Sequence, residues 1–314
     1  MKEIVLENDK LRIVVLPEAG GKISSLFYLP CKFEAAARPG PGKTYRKPEA
    51  DGSFGDYDMS GIDDCFPNID TETFSYEGRI LYYPDHGEIW SREMEVIKQT
   101  GDSLFLSLQS RRFHYNYEKR LFLRDSSLRL EYDISNPGNM ELPCIWTLHG
   151  LMRLEADMRF EDPKGVRAFV NVLKDTPLGE EGRRFEYPSE EFDFTRLYGY
   201  GEPEGMYEGP PQPYYMKYYA PQSVTEGRLA ISYPSQSVRV EFSYDPLKLP
   251  WFGVWINHGG FGGDYNVAME MTNGYYDLVS RAIENQRIRV LRPGERISFE
   301  VVISITGKKV KSEK

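Results

Sequence analysis

Apolar and polar residues alternate with a period of two along most of this chain, and helical periodicity is hard to find anywhere, a combination that restricts the fold to layered β-sheets. The clearest case is GERISFEVVISITG, in which Ile297, Phe299, Val301, Ile303 and Ile305 share one parity while Ser298, Glu300 and Ser304 take the other. One face of that strand belongs to a core. In KRLFLRDSSLRLEYDISNPG, Leu121 and Leu123 precede a polar turn at Asp125 to Ser127, and Leu128, Leu130, Tyr132 and Ile134 follow it, which reads as a hairpin. RLAISYPSQSVRVEFSYD repeats the pattern, with Leu229, Ile231 and Tyr233 before the Pro234 to Ser237 turn and Val240, Phe242 and Tyr244 after it. The best helical candidate, DLVSRAIEN from Asp277, is two turns at most. Strands joined by polar turns, without regular β-helix-β alternation, predict an all-β fold of antiparallel sheets packed face to face.

Composition narrows the function. The 314 residues carry 39 Lys+Arg against 48 Asp+Glu, a formal charge of −9. That sign argues against nucleic acid as a partner, since the one basic cluster is the tail at Lys308, Lys309 and Lys311. The opening MKEIVLENDKLRIVVLP interleaves Lys2, Glu3, Glu7, Asp9, Lys10 and Arg12 with its apolar residues, so it reads as neither a signal peptide nor a membrane span, and a cytoplasmic protein is expected. Cys31, Cys65 and Cys144 are odd in number and far apart, as expected of buried reduced thiols. GPGKTYRKPEADG lacks the phosphate-loop spacing and reads as a polar loop. From about Gly179 to Gln222 the periodicity fades into Gly, Pro, Tyr and acidic residues, which reads as a long excursion from the sandwich.

General acid–base chemistry near neutral pH draws first on histidine, and there are four. His114, in RRFHYNYEKR, has no acidic neighbour beside it and reads as a surface or packing residue. His258 shares parity with Val254 and Ile256 and reads as structural. His149, in CIWTLHGLMRL, fits either a satisfied core residue or a site. His86, in YYPDHGEIW, sits in a Pro, Asp, Gly-punctuated loop leading into a strand at Trp90, and fits turn chemistry and function equally. Glu270 stands out in YNVAMEMTNG, where desolvation would lift its pKa from about 4.3 toward a base's working range unless it is paired. Trp90, Trp251 and Trp255 offer flat faces for core packing or for a sugar's C–H face.

Taken together, NDKLRIVVLPEAGGKISSL, GIDDCFPNI, PDHGEIW, TLHG, VAMEMTNGYYDL and LRPGERISFEVVISI resemble, in order and across nearly the whole chain, the aldose 1-epimerases, also called galactose mutarotases. The resemblance implies one domain over residues 1–314, a β-supersandwich with a monosaccharide in an open cleft and no cofactor. By the same resemblance Glu270 is the general base at the anomeric hydroxyl, His149 is the general acid at the ring oxygen, and His86 holds the substrate. Asp63, Asp64, Trp90, Trp255 and Asn257 are the substrate-contact candidates. One departure is visible: CFPNID puts Ile69 where the family commonly has a sugar-orienting Arg.

That departure leaves three readings: an epimerase on a free aldose, an epimerase on a hexose phosphate with Arg79, Arg92, Arg111 or Arg112 at the cleft mouth, and a non-catalytic carbohydrate-binding protein. A metal site using His86 and Glu88 is a weak fourth, because two ligands in one loop lack a third.

Overall fold

The computed structural model describes residues 1–161, 163–197 and 213–308. Both expected hairpins form. Asn116–Arg124 pairs with Ser127–Ser135 across a two-residue connection in which Asp125 takes a positive φ of 49°, and Arg228–Tyr233 pairs with Val238–Tyr244 through a short 3-10 turn at Pro234–Gln236. The closing strand Arg296–Gly307 lies between Val238–Tyr244 and Ser127–Ser135, and its Val301, Ile303 and Ile305 are buried as the alternation requires.

Among the described residues, these strands belong to an eight-stranded sheet that packs against an eleven-stranded one. The middle of the larger sheet runs in the order Ile62–Cys65, Thr147–Arg153, Tyr265–Thr272, Trp251–His258 and Tyr214–Tyr219, every pair antiparallel. Leu148, Met269, Val254 and Met216 face the smaller sheet and join Leu121, Leu130 and Ile303 in the main apolar core. The alternate residues of the same strands face outward, and that face carries the site.

Two local expectations change. Arg184–Glu186 and Tyr214–Tyr219 are both strands of the larger sheet, so much of the supposed excursion belongs to the sandwich; residues 198–212 of that stretch lie outside the described residues. Trp90 sits in the 3-10 turn Ile89–Ser91 rather than at the start of a strand. The expected helix is Val279–Glu284, and no helix among the described residues is long and apolar enough to cross a membrane. Cys65 and Cys144 are buried, whereas Cys31 is half-buried, and all three thiols are free.

One buried ion pair joins the sheets. Lys119 and Asp64, both fully buried, meet at 2.8 Å, and the Tyr132 hydroxyl donates to the same carboxylate at 2.9 Å. Removing one member leaves the other's charge unpaired in a low-dielectric core, a loss of about 3–5 kcal/mol. Lys119→Ala is therefore expected to lower the urea unfolding free energy by about that amount. A loss below about 1 kcal/mol would show that the pair does not tie the sheets together.

Candidate active site

The site follows from register. Thr147 pairs with Thr272 and Leu151 with Ala268, which sets His149 across from Glu270; Glu270 pairs in turn with Gly253, and Gly253 with Tyr219. One step along, Ala268 pairs with Trp255 and Trp255 with Lys217. A side chain at position 253 would place its Cβ 3.0 Å from the Tyr219 ring, so glycine is what lets that ring lie across the strand and its hydroxyl reach Asp277 at 2.6 Å.

His86 arrives from a loop. It takes a positive φ of 56°, its backbone N–H donates to the Ile69 carbonyl at 2.6 Å, and Gly87, at φ 74°, passes so close to Phe66 that a Cβ would lie 2.2 Å from the Phe66 carbonyl oxygen. The His86 ring stacks on Phe54 at 4.3 Å and stands 5.0 Å from the His149 ring. Opposite these rings, Tyr215, Trp255 and Phe261 form an aromatic wall with centroids 5.6 to 6.0 Å apart. The cavity they line is about 280 Å³, just under the roughly 300 Å³ at which drug-sized pockets begin.

The electrostatics centre on Lys217. Its Nζ lies 2.7 Å from Glu270 Oε2 and 2.8 Å from Asp277 Oδ1. Burial disfavours its charge, but the two carboxylates outweigh burial and hold its pKa above the ordinary lysine value. Glu270, almost fully buried, is pushed above the usual carboxylate range by burial, against the opposing pull of Lys217 and with help from Asp277. Its other oxygen is 4.0 Å from His149 Nε2. Burial, followed by the positive charge of His86, Lys217 and Lys22, takes His149 well below the ordinary imidazole value, so it is uncharged at neutral pH. Asp85 meets His86 Nδ1 at 2.7 Å; burial pushes its carboxyl up, but the contact with His86 prevails and holds it below the usual range. Burial, then Asp277, pushes Asp70 up to about 6.

Of the residues expected from sequence, the structure brings His86, His149, Glu270 and Trp255 to one cavity. Asp63, Asp64, Trp90 and Asn257 are engaged elsewhere. Asp63 faces Lys22 at 3.2 Å, and burial, opposed by Lys22 and aided by Asp58, pushes it up to about 7. Asp64 points into the inter-sheet core against Lys119. Trp90 is buried against Phe54 and Tyr57, its indole N–H donating to the Asp85 carbonyl at 2.7 Å. The Asn257 amide accepts from the Phe261 N–H and donates to the Phe261 carbonyl, which fixes the aromatic wall from behind. His258 is buried and stacks on Tyr214, while Trp251 packs with a separate cluster around Tyr219.

Sequence reasoning missed Lys217, Asp277, Asp85, Asp70, Tyr215 and Phe261. A signal for Lys217 existed: in YYMKYY it shares parity with Tyr215 and Tyr219 and interrupts an otherwise apolar run, as Glu270 does in its own strand.

No family model matches the sequence, and no curated protein matches it. Solved structures do match the fold. An Escherichia coli K12 protein provisionally assigned as an aldose 1-epimerase superposes with a TM-score of 0.73 at 18% identity, covering 98% of this chain and 99% of that one. A galactose mutarotase related enzyme from Lactobacillus acidophilus gives 0.71 at 14% over 100% of both chains, and a galactose mutarotase-like protein from Clostridium acetobutylicum gives 0.67 at 14% over 98% of both. The chain thus has the galactose mutarotase-like fold.

Lys217→Met removes the cation that keeps Glu270 from rising further. The Glu270 carboxyl, followed by carbon-13 NMR, is expected to titrate at higher pH in the variant than in the wild type. An unchanged midpoint would show that Lys217 does not govern the charge on Glu270.

Proposed function

We propose that the protein is an aldose 1-epimerase acting on a neutral monosaccharide. The observation that carries this reading is the meeting of the Glu270 carboxylate with two imidazoles around one monosaccharide-sized cavity that has an aromatic wall. Glu270 takes the proton of the anomeric hydroxyl, and its raised pKa makes it a stronger base than an exposed carboxylate. As the C1–O5 bond breaks, the ring oxygen receives a proton and the open-chain aldehyde is released to rotate about C1–C2. Reversing both transfers closes either anomer.

We assign the two imidazoles roles different from those the family resemblance implies. An uncharged His149 keeps one N–H and is a weak acid, whereas His86 has the Asp85 carboxylate within 2.7 Å of Nδ1 as an ion-pair partner. In this scheme His86 gives the proton to the ring oxygen and His149 hydrogen-bonds the sugar beside Glu270. Trp255 and Tyr215 cover an apolar C–H face.

A neutral substrate is favoured over a phosphorylated one. No arginine lines the cavity among the described residues, Ile69 faces it where the family's arginine falls, and Lys217 is already shared by two carboxylates. Asp70, Asp85, Glu270 and Asp277 would oppose a phosphate.

Polarimetry of freshly dissolved α-D-glucose and α-D-galactose tests the reading. Wild type is expected to accelerate mutarotation, with Glu270→Gln and His86→Asn each slowing kcat by about 10²–10⁴-fold while the fold is retained. His149→Asn is expected to act mainly through KM. A wild-type rate equal to buffer across a broad sugar panel, with sugar binding intact, would leave a carbohydrate-binding protein instead. The acid limb of kcat/KM is expected to fall at higher pH than an ordinary carboxylate would give, since activity requires ionised Glu270 and its pKa is raised.

A further inference from the structure

His86 and His149 line the cavity, and beside them lies a third donor, Cys65, which is buried outside the lining and which the proton-transfer scheme does not use. Cys65 Sγ, one ring nitrogen of His86 and one of His149 all lie within 4.8 Å of one another. Three separate elements bring them together. Cys65 ends the strand Ile62–Cys65 and pairs with Thr147, so His149 stands two residues further along the neighbouring strand. The loop bearing His86 is tied to the residue after Cys65 by the bridge between Phe66 and Gly87. Cys65 and His149 are buried and His86 is half-buried, so the three are held by the fold and not by surface chance.

One sulfur and two imidazole nitrogens are the donor class of a borderline-soft divalent ion. Zinc bonds of about 2.3 Å to sulfur and about 2.0–2.1 Å to nitrogen place tetrahedral ligands roughly 3.3–3.6 Å apart, so side-chain adjustments of at most about 1.5 Å would close the set. The surroundings fit as well. Asp85 engages His86 Nδ1 at 2.7 Å, which leaves Nε2 as the donor to a metal and supplies the outer carboxylate that metal-bound histidines commonly have. The cavity above provides an open fourth position, and its carboxylates outnumber Lys217. Glu88, the partner that sequence suggested for His86, is not part of the set: its carboxylate accepts from the Ser110 hydroxyl at 2.6 Å.

We propose that Cys65, His86 and His149 form a binding site for a borderline-soft divalent cation of the zinc or cobalt class, and that the bound ion shuts off sugar turnover by occupying both imidazoles. Binding exchanges the Cys65 thiol proton for the metal, forming the metal–sulfur bond and releasing that proton to solvent, together with the Nε2 proton of His86 when His86 is in its imidazolium form. The inhibitory half rests on the proposed epimerase function; the binding half does not.

The test adds Co²⁺ to chelator-treated full-length protein and follows the near-ultraviolet thiolate-to-cobalt charge-transfer band, with Zn²⁺ affinity measured by competition against a chromophoric chelator. The expected result is a band saturating at one ion per chain in wild type and in Cys31→Ser, lost in Cys65→Ser and Cys65→Ala, with Zn²⁺ affinity down by more than about 100-fold in the Cys65 variants. Absence of the band from wild type overturns the proposal however the variants fold, and so does a band that survives in Cys65→Ser or disappears in Cys31→Ser. For turnover, Zn²⁺ is expected to stop mutarotation and a chelator to restore it. A protein that shows the Cys65-dependent band but never accelerates mutarotation keeps the metal site and loses the epimerase reading. An active protein without the band does the reverse.

Discussion

A carboxylate sealed beneath a cavity has to be stabilised by its neighbours or it takes up a proton, and the outer face of the larger sheet is organised around that requirement at Glu270. Lys217 supplies the countercharge at 2.7 Å, yet a lysine buried that deeply needs more than one carboxylate, and Asp277 is the second. Tyr219 then satisfies Asp277, and Gly253 gives Tyr219 its path across the sheet. The chain of dependence runs through three strands and the turn before the helix Val279–Glu284. Its outcome is a glutamate whose pKa is raised but whose second oxygen still faces His149, a balance that burial alone or a lone salt bridge would not give.

The same strands build the core and the site, because their side chains alternate between the two faces. Met269 and Met271 fill the space between the sheets while Glu270, between them, faces the cavity; Val254 and Ile256 flank Trp255 in the same way. A slip of one residue in the Tyr265–Thr272 strand would bury the carboxylate in the core and expose two methionines. Core packing therefore enforces the geometry of the site, and the inter-sheet pair of Lys119 and Asp64 lies on the core side of that division, one residue from the Asp63 and Lys22 pair on the other.

The fold was legible because period-two alternation states directly which residues share a face. The hairpins at Asp125 and Pro234, the closing strand and the outward direction of Glu270 all follow from parity. Parity does not say which outward residues meet a cavity and which meet another side chain. Asp63 and Asp64 looked equivalent in GIDDC, but one faces Lys22 and the other Lys119, and neither lysine is near them in sequence. Asn257 shares a strand with Trp255 yet bonds the backbone of Phe261, a contact made by a turn and not by the strand pattern. Lys217 was obscured because the Pro- and Gly-rich stretch before it masks where the strand begins.

The charge pattern of the cavity links its two proposed ligands. Among the described residues, four carboxylates against one committed lysine disfavour a phosphate, and the same surplus would concentrate divalent cations near Cys65, His86 and His149. A sugar's hydroxyls can accept from an imidazole and donate to a carboxylate, so a neutral polyol draws on both signs of partner without carrying charge of its own. His149, being uncharged, is available as a metal ligand, and His86, held at Nδ1 by Asp85, becomes one at Nε2 once that nitrogen has given up its proton. Affinity for a borderline-soft divalent cation would follow physically from bringing a thiol and two histidines together beside an acidic cavity.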